Sequence, residues 1–346
     1  MLRLHVPDRP TDQIPPDVIA SGVQTPLSIV PDAEAIRSAV WIDLAFPLPH
    51  ERRAVEEALG IALPSKADMV SIEASSRVYR EGSAQVMNVL LVVGVDSDEP
   101  AAVPVSLILT PRQLVTVRYA DPTAFRMLDL SCTRTAPGPS PHMLVVRLLD
   151  AVVDKTADIL ERMGGEIDKL SASIFGRDRP NTMRISTDDL TIILRRIGNT
   201  QFVLNKVHDS LVTLARATSF LQLGHEEADA GVGQRQKPDR VVRDSIKSVN
   251  RDLMSLSENT AYLTQNIAFL LDAALGRISI EQNAIIKIFS VGAVVFLPPT
   301  LVASIYGMNF EVMPELEWPL GYPFALLLMV LAAVLPYLWF KRRGWL

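Results

Sequence analysis

Amide and carboxylate oxygens are concentrated in one short segment near the end of the chain. YGMNF (residues 306–310) is followed by a stretch whose only charges are Glu311, Glu315 and Glu317. Mg²⁺ takes oxygen ligands and sheds its water reluctantly, so neutral oxygens that hold the hydrated ion weakly suit its passage. We expect the Asn309 amide and carbonyls freed at Gly307 to supply them. The glutamates would gather cations, with a merely solubilising turn as the alternative.

Two apolar runs flank this segment and must position it. No charged residue lies between Ile288 and Phe310, or between Trp318 and Phe340. Each run has about 20 residues, enough to cross a hydrocarbon core of roughly 30 Å as a helix. The connecting loop has no Lys or Arg, so the positive-inside rule predicts an external loop and cytoplasmic termini. The flanking cations are Arg277, Lys287, Lys341, Arg342 and Arg343.

A seam of mostly small or polar residues follows the first span at alternating spacings of three and four. Polar side chains in a membrane helix face a bundle interior or a water-filled cavity. Small residues also serve simple helix packing, so the spacing alone leaves packing and pore both open. Asn283 at the membrane entrance favours a pore, in which Ile286 and Leu297 would be hydrophobic constrictions. The seam comprises Asp272, Gly276, Ser279, Asn283, Ile286, Ser290, Ala293, Leu297, Thr300 and Ser304.

One hairpin supplies only one such helix, and a single helix cannot enclose a path for water. If the chain conducts an ion, it must therefore assemble around an axis. Cyclic symmetry is the natural closed arrangement.

Composition excludes several other classes of protein. The net charge of -5 argues against nucleic-acid binding, and the single cysteine, Cys132, excludes an intramolecular disulfide framework. The N-terminal segment lacks the apolar core of a secretory signal, so residues 1–280 are expected in the cytosol. There is no phosphate-binding glycine loop, and the histidines are scattered, so we expect neither an enzyme nor an organic cofactor. These histidines are His5, His50, His142, His208 and His225.

The cytosolic part divides into a mixed region and a helical region. Strands are predicted at residues 39–44, 86–95, 103–109 and 113–119, with a helix at 51–59 that stops at Gly60. Residues 1–35 are predicted to be partly irregular. Helical periodicity covers 143–175 and 187–223, and one further helix is predicted to run without interruption from the cytosol into the membrane. The predicted segments are 1–140 (α/β domain), 141–237 (helical hairpin), 238–306 (stalk helix and first span), 307–319 (external loop), 320–340 (second span) and 341–346 (basic tail).

The YGMNF segment, the following Glu-x-Met-Pro-Glu-Leu, the second span and the basic tail together resemble the CorA Mg²⁺/Co²⁺ channel family. The resemblance extends through the stalk helix and, more weakly, through the N-terminal domain. It implies a funnel-shaped homopentamer in the plasma (inner) membrane, with a cytoplasmic α/β/α domain on a long stalk helix. Ions would pass through it passively, driven by the membrane potential.

The resemblance also implies roles for individual residues. Gly307, Met308 and Asn309 match the selectivity filter, and Asp68 and Asp272 match the carboxylates that bind regulatory Mg²⁺ between subunits. Ala67 departs from the family pattern, where an acidic neighbour is expected. Phe289 falls near the gate, and the sequence leaves open whether Phe289 or Ser290 faces the pore. The resemblance implies polar pore positions at Asn283 and Thr300 and a gate near Ile286, Phe289 and Leu297, and the seam adds Ala293 and Ser304 to the expected pore lining. The implied basic collar is Lys287, Lys341, Arg342 and Arg343.

Two other functions stay open at this point. A Zn²⁺ transporter of the ZntB type shares the Gly-Met-Asn sequence, although Glu311-x-Met313-Pro314-Glu315 is more similar to the CorA branch. A protein of another class, a non-conducting scaffold anchored by the hairpin, would require neither a pentamer nor Asn309.

Overall fold

The computed structural model describes most of the chain in atomic detail. The described residues are 2–5, 32–70, 77–95, 99–132, 140–175, 187–231, 240–308 and 318–344, and side chains are described for all of these except 129–132, 187 and 225–231. Residue contacts divide the chain into two compact units. The first comprises Met1–Asn181 and Arg195–Leu270, and the second comprises Thr182–Leu194 and Leu271–Leu346.

A six-stranded mixed sheet forms the centre of the first unit. Its spatial order is β1-β2-β6-β5-β4-β3, with β2 and β6 parallel and every other neighbouring pair antiparallel. The strands are β1 (Leu2–His5), β2 (Trp41–Ala45), β3 (Val78–Glu81), β4 (Ala84–Val93), β5 (Ala101–Leu109) and β6 (Leu114–Arg118).

The two parallel strands are buried along their whole length, because other elements cover both of their faces. Short helices surround the sheet: α1 (Ala33–Ser38), α2 (Pro49–Leu59), α3 (Lys66–Met69) and α4 (Thr123–Cys132). Ile36 of α1 and Val55 of α2 join Ile42, Leu44 and Val117 in the main core. Mixed strands and helices confirm the predicted α/β/α domain.

The local sequence predicted the end of α2 correctly. Gly60 ends α2 in the left-handed conformation, with φ of 68°, which glycine adopts without steric cost. Within the segment that was predicted to be partly irregular, Leu2–His5 forms an edge strand that pairs with β2, and the sequence patterns did not predict this strand. Four residues are too few to show the alternating pattern of a strand. The strand forms because its backbone pairs with that of β2.

A buried ion pair joins the two parallel strands. Arg118 donates from Nε to Asp43 Oδ1 at 3.1 Å and from Nη2 to Asp43 Oδ2 at 2.9 Å, and both side chains are almost fully buried. Thr116 donates its hydroxyl to the same Asp43 Oδ1 at 2.8 Å. Burial by itself would lower the pKa of Arg118, but the hydrogen bonds and charges of Asp43 and Asp121 outweigh it and raise that pKa.

Three long helices follow the sheet: α5 (Pro141–Phe175), α6 (Thr187–Gly231) and α7 (Arg240–Tyr306). Proline at the first position of α5 fits its missing N–H, and Ser140 Oγ accepts from the backbone N–H of Met143 at 3.3 Å. Helix α6 continues beyond the predicted end at residue 223, through residues such as Glu226 and Ala228 that have high helix propensity.

Helix α6 also completes the hydrogen bonding of a strand. Ser210 donates to the carbonyl of Leu90 at 2.6 Å, and the backbone N–H of Leu90 donates to Thr213 Oγ1 at 2.9 Å. Strand β3 pairs with β4 only as far as Met87, so these hydroxyls satisfy backbone groups of β4 beyond that pairing.

The last two helices carry the predicted membrane spans. Helix α7 has 67 residues, about 100 Å at 1.5 Å per residue, and it continues through Pro298 and Pro299 to Tyr306. Helix α8 runs from Gly321 to Arg342. These are the two helices in the described chain that are long and apolar enough to cross a membrane, judged by length and composition.

Candidate ion pathway and regulatory carboxylates

The predicted pore residues lie on one side of α7. Successive residues of an α-helix are rotated by about 100°, so the positions from Asn283 to Ser304 fall within an arc of roughly 120°. All of these side chains are exposed in the single chain. They comprise Asn283, Ile286, Phe289, Ser290, Ala293, Leu297, Thr300 and Ser304.

The opposite side of the same helix is the less exposed one. Val291 is buried, and Val295 and Val302 are partly buried. On α8, Gly321 and Ala325 are buried, and such small residues let helices approach closely. This pattern is expected when the two helices of a hairpin pack through one face each. The polar seam lies on the other face of α7, which is available to contact water or another chain.

Large apolar side chains lie within this arc of α7 at three levels. Ile286, Phe289 and Leu297 are 61%, 75% and 67% exposed. By helical rotation, Phe289 and Ser290 flank the middle of the arc from its two sides. A single chain therefore leaves the choice between Phe289 and Ser290 as open as the sequence does.

Near its C-terminal end, α7 has altered backbone hydrogen bonding. Pro298 and Pro299 have no N–H, so the carbonyls of Val294 and Val295 lose their usual helical donors. At the next residue, the Thr300 hydroxyl donates to the carbonyl of Phe296 at 2.8 Å. The pair of prolines makes this change in backbone hydrogen bonding predictable from the sequence.

The helix ends at the predicted filter in a different way from that expected. Gly307 donates its N–H to the carbonyl of Ala303 at 3.0 Å, and Met308 donates to Ile305 at 3.2 Å. Gly307 is not among the glycines with positive φ. A Cβ at this position would lie 3.2 Å from the Ala303 carbonyl oxygen, which is a tight contact with the preceding helical turn. Asn309, Glu311, Glu315 and Glu317 lie outside the described residues.

The predicted collar residues are exposed, and they lie where the first span begins and where the second span ends. Lys287 stands near the start of the apolar part of α7, and Lys341 and Arg342 form the last turn of α8. The Arg343 guanidinium lies 4.7 Å from the centre of the Trp339 ring, a cation–π contact.

Of the two predicted regulatory carboxylates, Asp68 already has a structural role. Its Oδ2 accepts from the backbone N–H of Ser65 at 2.8 Å, and Ser65 Oγ accepts from the N–H of Asp68 at 3.2 Å. This reciprocal pair is a capping box at the start of α3. The Asp68 side chain is exposed, and the hydrogen bonds from Ser65 lower its pKa, so the carboxylate is ionised at neutral pH. The Ser-x-x-Asp spacing is the sequence signal for this capping role.

Asp272 is exposed on α7, and Ala67 is exposed beside Asp68. Within the described part of a single chain, no group of three or more His, Cys, Asp or Glu residues is arranged to hold a metal ion. The regulatory site at Asp68 and Asp272 thus stays a prediction.

An α/β/α domain, a very long helix and a second apolar helix are the architecture expected of a two-span membrane protein with a large extramembrane domain. The family model for CorA-like Mg²⁺ transporter proteins matches residues 37–342. The chain therefore belongs to the CorA-like Mg²⁺ transporter family.

Individual relatives agree with this assignment. The magnesium transport protein CorA of Sodalis glossinidius is 35% identical over 309 residues, covering 89% of this chain and 92% of the relative. The protein of the same name from Escherichia coli K12 is 34% identical, covering 92% and 95%. The complete structure of the CorA magnesium transporter from Methanocaldococcus jannaschii has the same fold, with a TM-score of 0.69 at 19% identity over 89% of this chain and 92% of that one.

Proposed function

We propose that this protein is a homopentameric channel that admits Mg²⁺, and also Co²⁺, across the plasma (inner) membrane. The observation that carries the proposal is the polar seam of α7. It lies on the side of the helix away from the less exposed positions, and it ends beside the Gly-Met-Asn sequence, in a chain of the CorA-like Mg²⁺ transporter family.

Transport in this proposal proceeds in three stages. The glutamates of the outer loop raise the local concentration of divalent cations. A ring formed by Gly307, Met308 and Asn309 then holds the hydrated ion through neutral oxygens. The ion finally descends past the constrictions at Leu297, Phe289 and Ile286 under the membrane potential, whose work is about 2.3 kcal/mol per charge per 100 mV.

The orientation follows from the charges beside the two spans. The basic collar at Lys287 and residues 341–343 faces the cytoplasm, and the acidic loop faces outward. Regulatory Mg²⁺ binds between subunits at Asp68 and Asp272 and closes the pore when internal Mg²⁺ is high.

Flux into liposomes that contain only this protein tests the proposal. We expect uptake of Mg²⁺ and Co²⁺ that depends on an inside-negative potential. Strong Zn²⁺ uptake without Mg²⁺ or Co²⁺ flux would instead identify a ZntB-like zinc transporter. Absence of flux for all three ions, in protein that is folded and inserted, would favour the non-conducting scaffold.

A further inference from the structure

The segment that leads to Asp68 is attached to the rest of its domain from both sides. It runs from Gly60, which ends α2, to the start of α3, and residues 61–65 form no helix or strand. A segment of this kind keeps one conformation only where its backbone groups and side chains find partners in other elements. Leu63 and Met69 provide the apolar part of this attachment, since both side chains are buried in the main core.

Arg52 of α2 provides the polar part of the attachment. Its Nη2 donates to the carbonyl of Leu63 at 2.7 Å and to the carbonyl of Pro64 at 3.1 Å. The Arg52 side chain is only 18% exposed, so water competes weakly for these charge-assisted hydrogen bonds. Both carbonyls come immediately before Ser65, which caps α3 together with Asp68.

Two neighbouring side chains support Arg52 in this position. Glu56 lies 3.8 Å from Arg52 Nη2, and its Oε1 accepts from the backbone N–H of Leu63 at 3.1 Å. The Tyr119 hydroxyl accepts from Arg52 Nη1 at 3.4 Å. The ring of Tyr119 lies 5.5 Å from Lys66 Nζ, so this tyrosine contacts both the arginine and the first residue of α3.

The location of Asp68 depends on these contacts because α3 is very short. A helix of four residues is not stable by itself, so its place is set by the segment that precedes it. A carboxylate that is already in place binds an ion without the free-energy cost of ordering its backbone. The contacts of Arg52 can therefore affect how tightly Asp68 binds a cation.

We propose that Arg52 is a positioning residue for the regulatory Mg²⁺ site, because it fixes the backbone that carries Asp68. This inference rests on the proposed closure of the pore by Mg²⁺ bound at Asp68 and Asp272. A guanidinium group does not bind a metal cation, so Arg52 acts through the carbonyls of residues 63 and 64. Without it, only a fraction of the chains holds Asp68 in place, and the apparent affinity for Mg²⁺ falls by that fraction.

Flux into liposomes at increasing internal Mg²⁺ tests this role, with the flux of each variant expressed relative to its own value without internal Mg²⁺. Arg52→Met should raise the Mg²⁺ concentration for half closure about fivefold, because the competent arrangement is then only partly populated. Arg53→Met is the matched control, since Arg53 is an exposed cation at the next position of α2. It should close at the wild-type concentration.

The charge of Arg52 predicts the opposite result from its position. This charge lowers the pKa of Asp68, although less than the hydrogen bonds from Ser65 do, and a nearby positive charge also repels Mg²⁺. If charge alone mattered, Arg52→Met would close at a lower Mg²⁺ concentration. Tyr119→Leu loosens Arg52 and keeps its charge, so it should also raise the concentration for half closure, by a smaller factor. It also provides the test if Arg52→Met is too unstable to insert.

Hydrogen–deuterium exchange without Mg²⁺ measures the order of the segment directly. The amides of Leu63, Ser65 and Asp68 donate hydrogen bonds that depend on its conformation. Arg52→Met should speed exchange in this segment about tenfold, because local opening becomes more frequent, and Arg53→Met should not.

Two kinds of failure can be told apart. Unchanged exchange in Arg52→Met would overturn the positioning role, and so would a half-closure concentration that does not rise in Arg52→Met although it rises in Asp272→Ala. A wild-type half-closure concentration in Asp272→Ala would instead refute the proposed regulation, and with it this role of Arg52.

Discussion

At the scale of single residues, the proposed pathway depends on neutral oxygens for selection and on carboxylates for attraction. Replacing Asn309 by alanine removes the amide oxygen and leaves every charge in place. We therefore expect Asn309→Ala to lower Mg²⁺ flux in liposomes at least tenfold, a change of about 1.4 kcal/mol in the barrier.

Neutralising the outer loop provides the matched control. A triple variant with glutamine at Glu311, Glu315 and Glu317 should lose rate mainly at low external Mg²⁺ and at low ionic strength, and should keep its order of preference among ions. Wild-type flux in Asn309→Ala would contradict the role assigned to this amide.

The regulatory carboxylates lead to a second prediction at this scale. Asp272→Ala should raise the internal Mg²⁺ concentration needed for half closure roughly tenfold, which corresponds to about 1.4 kcal/mol of binding free energy. Ala67→Glu should lower that concentration, because Ala67 is exposed beside Asp68 and a carboxylate there would add a charged ligand at little cost to folding. Flux measured against internal Mg²⁺ gives both values.

The control for this prediction uses the capping box of α3. An asparagine at position 68 keeps an oxygen that can accept from the Ser65 N–H, whereas alanine removes both the cap and the charge. If Asp68→Asn and Asp272→Ala closed at the same Mg²⁺ concentration as the wild type, the regulatory assignment would be wrong.

At the scale of elements, the parallel strands β2 and β6 depend on the buried pair of Asp43 and Arg118. Arg118→Met would leave the Asp43 carboxylate buried without its cation, which typically costs about 3–5 kcal/mol. We expect a large fall in the melting temperature of the detergent-solubilised protein.

A double variant separates the lost pair from the lost packing. Adding Asp43→Leu to Arg118→Met removes the uncompensated charge, so part of the stability should return. If the double variant were less stable than Arg118→Met alone, the buried charge would not be the source of the loss.

The contact between α5 and α7 carries a mild electrostatic penalty. Burial first, and then the charges of Asp154 and Asp252, raise the pKa of Asp150. The folded protein thus binds this proton more tightly than the unfolded chain does. The Asp150 carboxylate therefore lowers stability above its folded-state pKa, and the penalty disappears as the pH falls below the ordinary value of 3.8.

Asp150→Asn should consequently raise the melting temperature slightly at neutral pH and leave it unchanged in acid. The gain should stay within about 0.5 kcal/mol, because the burial of Asp150 is only partial, the side chain remains largely exposed, and solvent screens its neighbours. Asp168→Asn, which removes another exposed carboxylate of α5, is the control for net charge. Equal gains in the two variants, or a gain that persists in acid, would contradict the local explanation.

At the scale of the whole molecule, a single chain presents one polar seam and therefore cannot surround an ion. We expect native mass spectrometry of the detergent-solubilised protein to give five times the 38.1 kDa mass of one chain. Asn309→Ala should keep this mass, because the amide is assigned to selection and not to assembly. A monomer or dimer that still conducts Mg²⁺ would refute the pentameric pore.

Patterns within a short stretch of sequence determined the long elements and the family of this protein. Helical periodicity and the absence of early prolines predicted the continuous helix α7, and charge-free runs predicted the two spans. Gly60 marked the end of α2. The Gly-Met-Asn segment with its acidic and basic neighbours indicated the CorA family, which the family match confirms. These signals succeed because helix formation, membrane insertion and capping depend on nearby residues.

Features that depend on distant residues were decided only by the tertiary structure. Asp43 and Arg118 are 75 positions apart, and only the parallel pairing of β2 with β6 brings them together. Leu2–His5 becomes a strand because β2 offers it an edge. Local sequence patterns do not show which distant residues come into contact, because burial and strand pairing are properties of the packed chain.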